Sequence, residues 1–250
     1  MSKFIFILII PMIIITIIYI IYQSKKTYFK NDNDNKFYIE VDNFLTHDEC
    51  DSLINDSKKT LEDASVMSAD KDGNAINVLD SVRTSKNTWL KNDSYKNIID
   101  RVNNLVNKYS KNKVNKKQFE NIQVAKYNIN GEYKGHYDIC HPLTAHSSQL
   151  QACIGDYKKY NSIRYATIIL YLNDGFDGGE TEFPLINKKI IPKKGKALLF
   201  FNCTYNEETN KNGLCDTINN SFHAGLPIKP GKINEKWIAN IWIRTKIINF

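Results

Sequence analysis

No Cys-x-x-Cys pair occurs in these 250 residues, although cysteines stand at positions 50, 140, 153, 203 and 215. A zinc knuckle or a thioredoxin-type site needs such a pair, so neither is expected. Cys203 and Cys215 flank a polar loop, placed either to bridge in an oxidising lumen or to stay buried as thiols. Histidine is scarce, with five residues, so any imidazole-based metal site must draw on a short list. Also missing is a cluster of basic residues interleaved with aromatics on one element. The formal charge is +7, but Lys3, Lys25 and Lys26 flank an apolar N-terminal run; without these three, residues 27–250 carry +4. That is a mixed, mildly basic surface, and no nucleic-acid partner is expected. No internal repeat is present, which excludes solenoids and propellers.

The apolar run is the most conspicuous feature present. Residues 4–22, FIFILIIPMIIITIIYIIY, are 19 uncharged residues, close to the ~20 that cross a bilayer as a helix. The following IYIIYQSKK has no small-residue cleavage site, so an uncleaved signal-anchor is expected over residues 1–26 with its flanks. Pro11 is tolerable in a membrane helix. The polar stretch KNDNDNK, residues 30–36, suits a tether, giving a linker over 27–36 and one folded domain over 37–250. The chain is thus expected to be a single-pass membrane protein with its folded domain in an endoplasmic-reticulum-like lumen. Lysines on both sides of the run leave its orientation open. Sequons at Asn55, Asn92, Asn202 and Asn219 matter only in that lumen.

Within the domain, FYIEVDNFL reads as a strand, and Thr46 with Glu49 three residues on forms a capping box that starts a helix. A second helix is expected after Asp93 or Ser94, with Ile98, Ile99, Val102, Leu105, Val106 and Tyr109 at helical spacing. From Asn121 the period becomes two, in NIQVAKY, EYKGHYD, RYATIILYLN, ETEFP, KALLFFN and KWIANIWIRT. Strands in series after a helical lead-in predict an α+β, mainly β fold, a sandwich or a jelly roll (double-stranded β-helix), buttressed by the N-terminal helices.

On a strand, residues two apart share a face, so His136 and Asp138 in GEYKGHYD can both reach one ion. The third candidate is His223 in NNSFHAGLP, after a loop and before another strand. Two histidines and a carboxylate form the arrangement that leaves one face of iron(II) open. Beyond His223, Lys236 and Trp242 lie six apart on one face of KWIANIWIRT, and Thr167 interrupts an apolar strand where a hydroxyl needs a specific partner.

The ordered series FLTHDECDSLI, SVRTSKNTWL, YNINGEYKGHYD, RYATIILYLNDGFDGGETEFP, KKGKALLFFN and HAGLPIKPGKINEKWIANIWIRT resembles the prolyl 4-hydroxylase family of iron(II)- and 2-oxoglutarate-dependent dioxygenases. It spans nearly all of residues 37–245. The resemblance implies His136, Asp138 and His223 as iron ligands. Lys236 would partner the distal carboxylate of 2-oxoglutarate, helped by the hydroxyls of Tyr127 and Thr167. Tyr133, Arg164 and Trp242 would line the peptide side. The family usually has ten residues from the second histidine to the lysine, and here the step is thirteen. Lys232 is therefore a rival to Lys236, which is preferred because it starts the apolar strand.

The implied reaction is hydroxylation of peptidyl proline at carbon 4, with 2-oxoglutarate and O2 as co-substrates, succinate and CO2 as products, and L-ascorbate as reductant. The partners implied are a proline-containing peptide and, through the N-terminal run, the membrane. The alternatives are a dioxygenase acting on another peptide residue such as lysine, and a catalytically inactive, membrane-tethered binding module of the same fold.

Overall fold

Alternation of apolar residues along the long strands builds a molecule with two cores, one on each face of a large sheet. The computed structural model describes residues 37–70, 75–143, 147–205 and 212–248. The expected anchor over 1–26 and linker over 27–36 lie outside these residues. Among the described residues no helix is long and apolar enough to cross a membrane.

Eleven strands form the frame: β1 (Tyr38–Val41), β2 (Glu62–Asp63), β3 (Ser85–Leu90), β4 (Ile122–Asn128), β5 (Tyr133–His136), β6 (Arg164–Tyr171), β7 (Thr181–Phe183), β8 (Lys188–Ile190), β9 (Ala197–Phe201), β10 (His223–Gly225) and β11 (Glu235–Arg244). The larger sheet runs β1-β9-β6-β11-β4-β3-β2, and the smaller β8-β7-β10-β5. All the pairings are antiparallel. This is the mainly β jelly-roll architecture expected from the period-two runs.

Helix α1 (His47–Ser57) starts at Thr46 with the anticipated box: the Thr46 N–H donates to Glu49 Oε2 at 2.9 Å, and the Glu49 N–H donates to Thr46 Oγ1 at 3.2 Å. Helix α2 (Lys96–Tyr109) follows a 3-10 turn over Asn92–Tyr95 and buries Ile98, Ile99, Val102 and Val106. Together with Cys50 and Leu53 of α1, these side chains meet Val124, Ile168, Leu170, Leu199, Ala239 and Ile241 from one face of the larger sheet. The opposite face contributes Ala125, Tyr127, Ile169, Tyr171, Leu198, Phe200 and Ile238, and Phe183 and Ile190 of the smaller sheet close over them. Large side chains like these are worth about 1.5–3 kcal/mol each when fully buried, so the two cores carry most of the stability.

Two features go beyond the sequence reading. Helix α3 (Ser147–Tyr160) precedes β6, and a hairpin of Ser65–Ala69 with Ala75–Leu79 precedes β3. Cysteines pair as Cys140–Cys153 and Cys203–Cys215, and Cys50 stays a buried free thiol. The first bridge ties α3 to the segment just beyond Asp138.

Candidate active site

Neighbouring antiparallel strands place two imidazoles side by side. His136 at the end of β5 is the register partner of His223 at the start of β10, and their ring centroids lie 4.4 Å apart. The expectation that one strand carries both His136 and Asp138 is corrected here. The strand ends at His136, and Asp138 sits in the bend beyond it. It is this bend that brings its Oδ1 to 3.6 Å from His136 Nε2 and its Oδ2 to 3.8 Å from His223 Nε2. One ligand atom from each of the three residues falls within 4.8 Å of the other two.

Both imidazoles are oriented the same way. The Nδ1 of His136 is 2.8 Å from the Lys134 carbonyl oxygen, and that of His223 is 2.9 Å from the Ser221 carbonyl. A carbonyl only accepts, so each Nδ1 carries a proton and it is each Nε2 that faces Asp138. Burial, with His136 alongside, pushes the His223 pKa down to about 4, which keeps it neutral and able to ligate near pH 7. Burial opposes ionisation of Asp138, but the neighbouring His223 and His136, with Arg164 behind them, bring its pKa well below the usual carboxylate range. Two imidazole nitrogens and a carboxylate oxygen fit the donor set of an iron(II) site with open positions. The Tyr133 ring stacks on His136 at 3.6 Å between centroids.

On the same sheet face, the second residue of β11 is Lys236, which is 2% exposed. Its ammonium donates to the Gly179 carbonyl oxygen at 2.6 Å and lies 5.3 Å from the centroid of the Tyr127 ring, its cross-strand partner. Among the described residues no carboxylate lies within ion-pair distance of it; the charge of Glu180 acts on it from farther off and offsets burial only in part. Burial pushes its pKa down to about 8. Gly179, at φ +71°, makes room for the chain: a Cβ there would stand 3.2 Å from Lys236 Cδ and 2.8 Å from Ile228. Lys232, by contrast, is exposed in the loop. The fit to an anionic co-substrate rests on Lys236, a buried cation without an anion.

Thr167 does not join it. Its hydroxyl donates to Asp138 Oδ2 at 2.7 Å and accepts from Asn202 Nδ2 at 3.0 Å, so the role beside the distal carboxylate is corrected to one beside the metal ligand. The buried hydroxyl on the partner strand of Gly225 is instead Thr181, bonded to Tyr171 at 2.8 Å.

At the far end of the sheet face, Arg164 stacks over Trp242 with its guanidinium carbon 3.7 Å from the ring centroid. It gives two parallel hydrogen bonds to Glu120, at 2.9 and 2.8 Å. Glu120 also accepts from Arg244, which in turn grips Asp156 of α3. Trp89 of β3, 48% exposed, extends the aromatic surface 5.8 Å from Trp242. Glu120, Asn202, Thr181 and Trp89 were not anticipated. A polar Asn202 directly after the wholly apolar ALLFF was a signal available in the sequence.

The 2OG-Fe(II) oxygenase superfamily profile matches residues 122–244, which span the triad, Lys236 and Arg164. The chain is 30% identical over 219 residues to a prolyl 4-hydroxylase homologue of Acanthamoeba polyphaga mimivirus, covering 86% of this chain and 77% of that protein. It is 31% identical over 221 residues to prolyl 4-hydroxylase 2 of Arabidopsis thaliana, covering 80% of this chain and 64% of the plant protein, so it spans somewhat less than two thirds of that relative. Among solved structures, the 2OG complex of the viral collagen prolyl hydroxylase vCPH of Paramecium Bursaria Chlorella virus-1 superposes with a TM-score of 0.58 at 32% identity, over 86% of this chain and 99% of that one.

Proposed function

This chain belongs to the prolyl 4-hydroxylase family of iron(II)- and 2-oxoglutarate-dependent dioxygenases, and from that premise we propose that it hydroxylates peptidyl proline at carbon 4. The observation that carries the reading is the His136–Asp138–His223 cluster on the same floor as a buried cation, Lys236, with no anion of its own. Bound iron(II), kept reduced by ascorbate, and 2-oxoglutarate supply the oxidation, in which one oxygen atom of O2 enters the substrate C–H bond and the other enters succinate as CO2 leaves.

The chain's own residues bind and orient. His136 and His223 hold Nε2 lone pairs towards the ion, and their Nδ1 protons are fixed by backbone carbonyls. Lys236 receives the distal carboxylate of 2-oxoglutarate, with the Tyr127 ring beside it. The apolar side chains of Ile169, Tyr171, Phe183, Phe200 and Ile238 keep water from the pocket floor. Tyr133, Trp242 and Arg164 receive the peptide. Arg164 has its fork engaged by Glu120, so what it offers a polyproline II segment is a flat cationic face stacked with Trp242.

Two disulfides support an oxidising compartment, and with the apolar run of residues 4–22 they support a membrane-anchored enzyme with a lumenal domain. No nucleic acid is expected among its partners.

The test is incubation with iron(II), 2-oxoglutarate and ascorbate of Pro-rich peptides and of matched Lys-containing peptides without proline, with the added oxygen located by fragmentation spectra. Oxygen on proline carbon 4 is the expected result. Oxygen on lysine alone would replace the substrate and keep the cofactors. Absence of iron-dependent succinate release with either peptide would leave a binding module.

A further inference from the structure

We propose that Asn202 is a positioning residue that acts through Thr167 to orient the Asp138 carboxylate as a ligand. The inference rests on the metal reading of the triad and goes beyond it by assigning the residues that aim its one carboxylate.

Proton counting sets the direction of this relay. The ionised Asp138 only accepts, and a threonine hydroxyl has a single proton to give. Asn202 presents its amide NH2 to Thr167 Oγ1 at 3.0 Å, which occupies the oxygen's acceptor side and directs its proton to Asp138 Oδ2 at 2.7 Å. With Oδ2 engaged, Oδ1 remains free to ligate, so Asp138 can bind through one oxygen.

The backbone holds Asn202 in place from two sides. Its N–H donates to the Tyr165 carbonyl on β6, the strand that carries Thr167, and its own carbonyl accepts from Ile218, in the segment that leads to His223. Phe200, two residues before it, is the register partner of Thr167. Cys203, the next residue, is bonded to Cys215 and closes the loop that precedes His223. One asparagine therefore stands between the strand behind Asp138 and the chain that delivers the second histidine.

Asn202 is 0% exposed, and the bond to Thr167 is the only side-chain hydrogen bond it makes among the described residues. Replacing it with alanine thus removes little besides the relay. It also stands in an Asn-Cys-Thr sequon, and a glycan on a fully buried amide is incompatible with this fold.

The experiment is a Co(II) titration of the purified protein, read by d–d absorption, in wild type, Thr167→Val, Thr167→Ser, Asn202→Ala and His136→Ala. Partners of metal ligands typically change affinity by about 10- to 100-fold. Thr167→Val and Asn202→Ala are expected to lose that much affinity with an altered d–d band, and Thr167→Ser to stay near wild type. Wild-type affinity and spectrum in a folded Asn202→Ala, or in Thr167→Val, would overturn the relay. Equal Co(II) binding by wild type and His136→Ala would instead remove the metal reading beneath it. Should Asn202→Ala fail to fold, the contrast between Thr167→Val and Thr167→Ser decides the matter, since valine conserves the volume and serine the hydroxyl.

Discussion

A half-buried arginine and a buried lysine share one face of the larger sheet, and they are treated in opposite ways. Arg164 has a carboxylate of its own: Glu120 grips it through two hydrogen bonds, and the pair is extended through Arg244 to Asp156. Lys236 has a backbone carbonyl, the face of a tyrosine ring and, beyond ion-pair distance, the charge of Glu180, which only partly offsets its burial. Burial disfavours the charge of both. At Arg164 the Glu120 carboxylate more than offsets that penalty and raises the pKa, whereas at Lys236 the penalty stands and the pKa falls to about 8. A buried charge with its partner supplied by the chain is architecture. One left without a partner is a place where an anion belongs, and the two ends of this sheet face divide along that line.

The largest effect should come from the metal end. Asp138→Ala and His136→Ala are expected to reduce succinate release to background while circular dichroism shows a folded domain, because each removes a ligand and little core. Residual turnover near wild type in either variant would take that residue out of the triad.

Next is the paired cation. Glu120→Gln leaves Arg164 and Arg244 buried without their shared carboxylate, and breaking one partner of a buried pair costs about 3–5 kcal/mol. Urea unfolding should show that loss, and a change below about 1 kcal/mol would mean that Arg164 and Arg244 find other acceptors.

The unpaired cation should respond in the opposite direction. Its folded pKa of about 8 lies below the ordinary lysine value of about 10.5, so removing the charge should stabilise the co-substrate-free protein at pH 7, by about 3 kcal/mol from the size of the shift. The unfolded chain binds a proton that the folded one has released between those two values. Wild-type stability should therefore rise as pH climbs from about 8 to 10.5, and the advantage of Lys236→Met should shrink across the same window. A pH-independent difference between the two proteins would contradict the assignment. Over the same range the co-substrate KM should rise, since a neutral amine no longer attracts a carboxylate. The smallest expected effect is that of exposed Lys232: Lys232→Ala should leave stability within about 0.5 kcal/mol and the 2-oxoglutarate KM unchanged.

How legible these sites were in the sequence follows from how local their causes are. His136, Asp138 and His223 stand in short patterns that suggest a metal site, but their roles and that of Lys236 became legible only through the resemblance of the whole ordered series of motifs. Thr167 showed as a hydroxyl in an apolar strand, but what it faces is decided by the bend after His136 and by Asn202, residues far from it along the chain. Helix α3, SSQLQACIGDYKKY, carries an internal glycine and no regular apolar stripe. It is held by tertiary ties, the Cys140–Cys153 bridge and the Arg244–Asp156 pair, that no local period announces. The two-sided core was legible where alternation holds, in β4 and most of β11, but not at the start of β6, where a register shift puts Tyr165 and Ala166 into the same core.

The most direct test of the division between paired and unpaired cations is calorimetric titration of 2-oxoglutarate into the Mn(II)-loaded protein, in wild type, Lys236→Met and Lys232→Ala. A desolvated charge pair is worth about 3–5 kcal/mol to break. Lys236→Met should therefore bind more than about 100-fold more weakly, with Lys232→Ala matching wild type. Unchanged affinity in Lys236→Met, or a comparable loss in Lys232→Ala, would contradict the account.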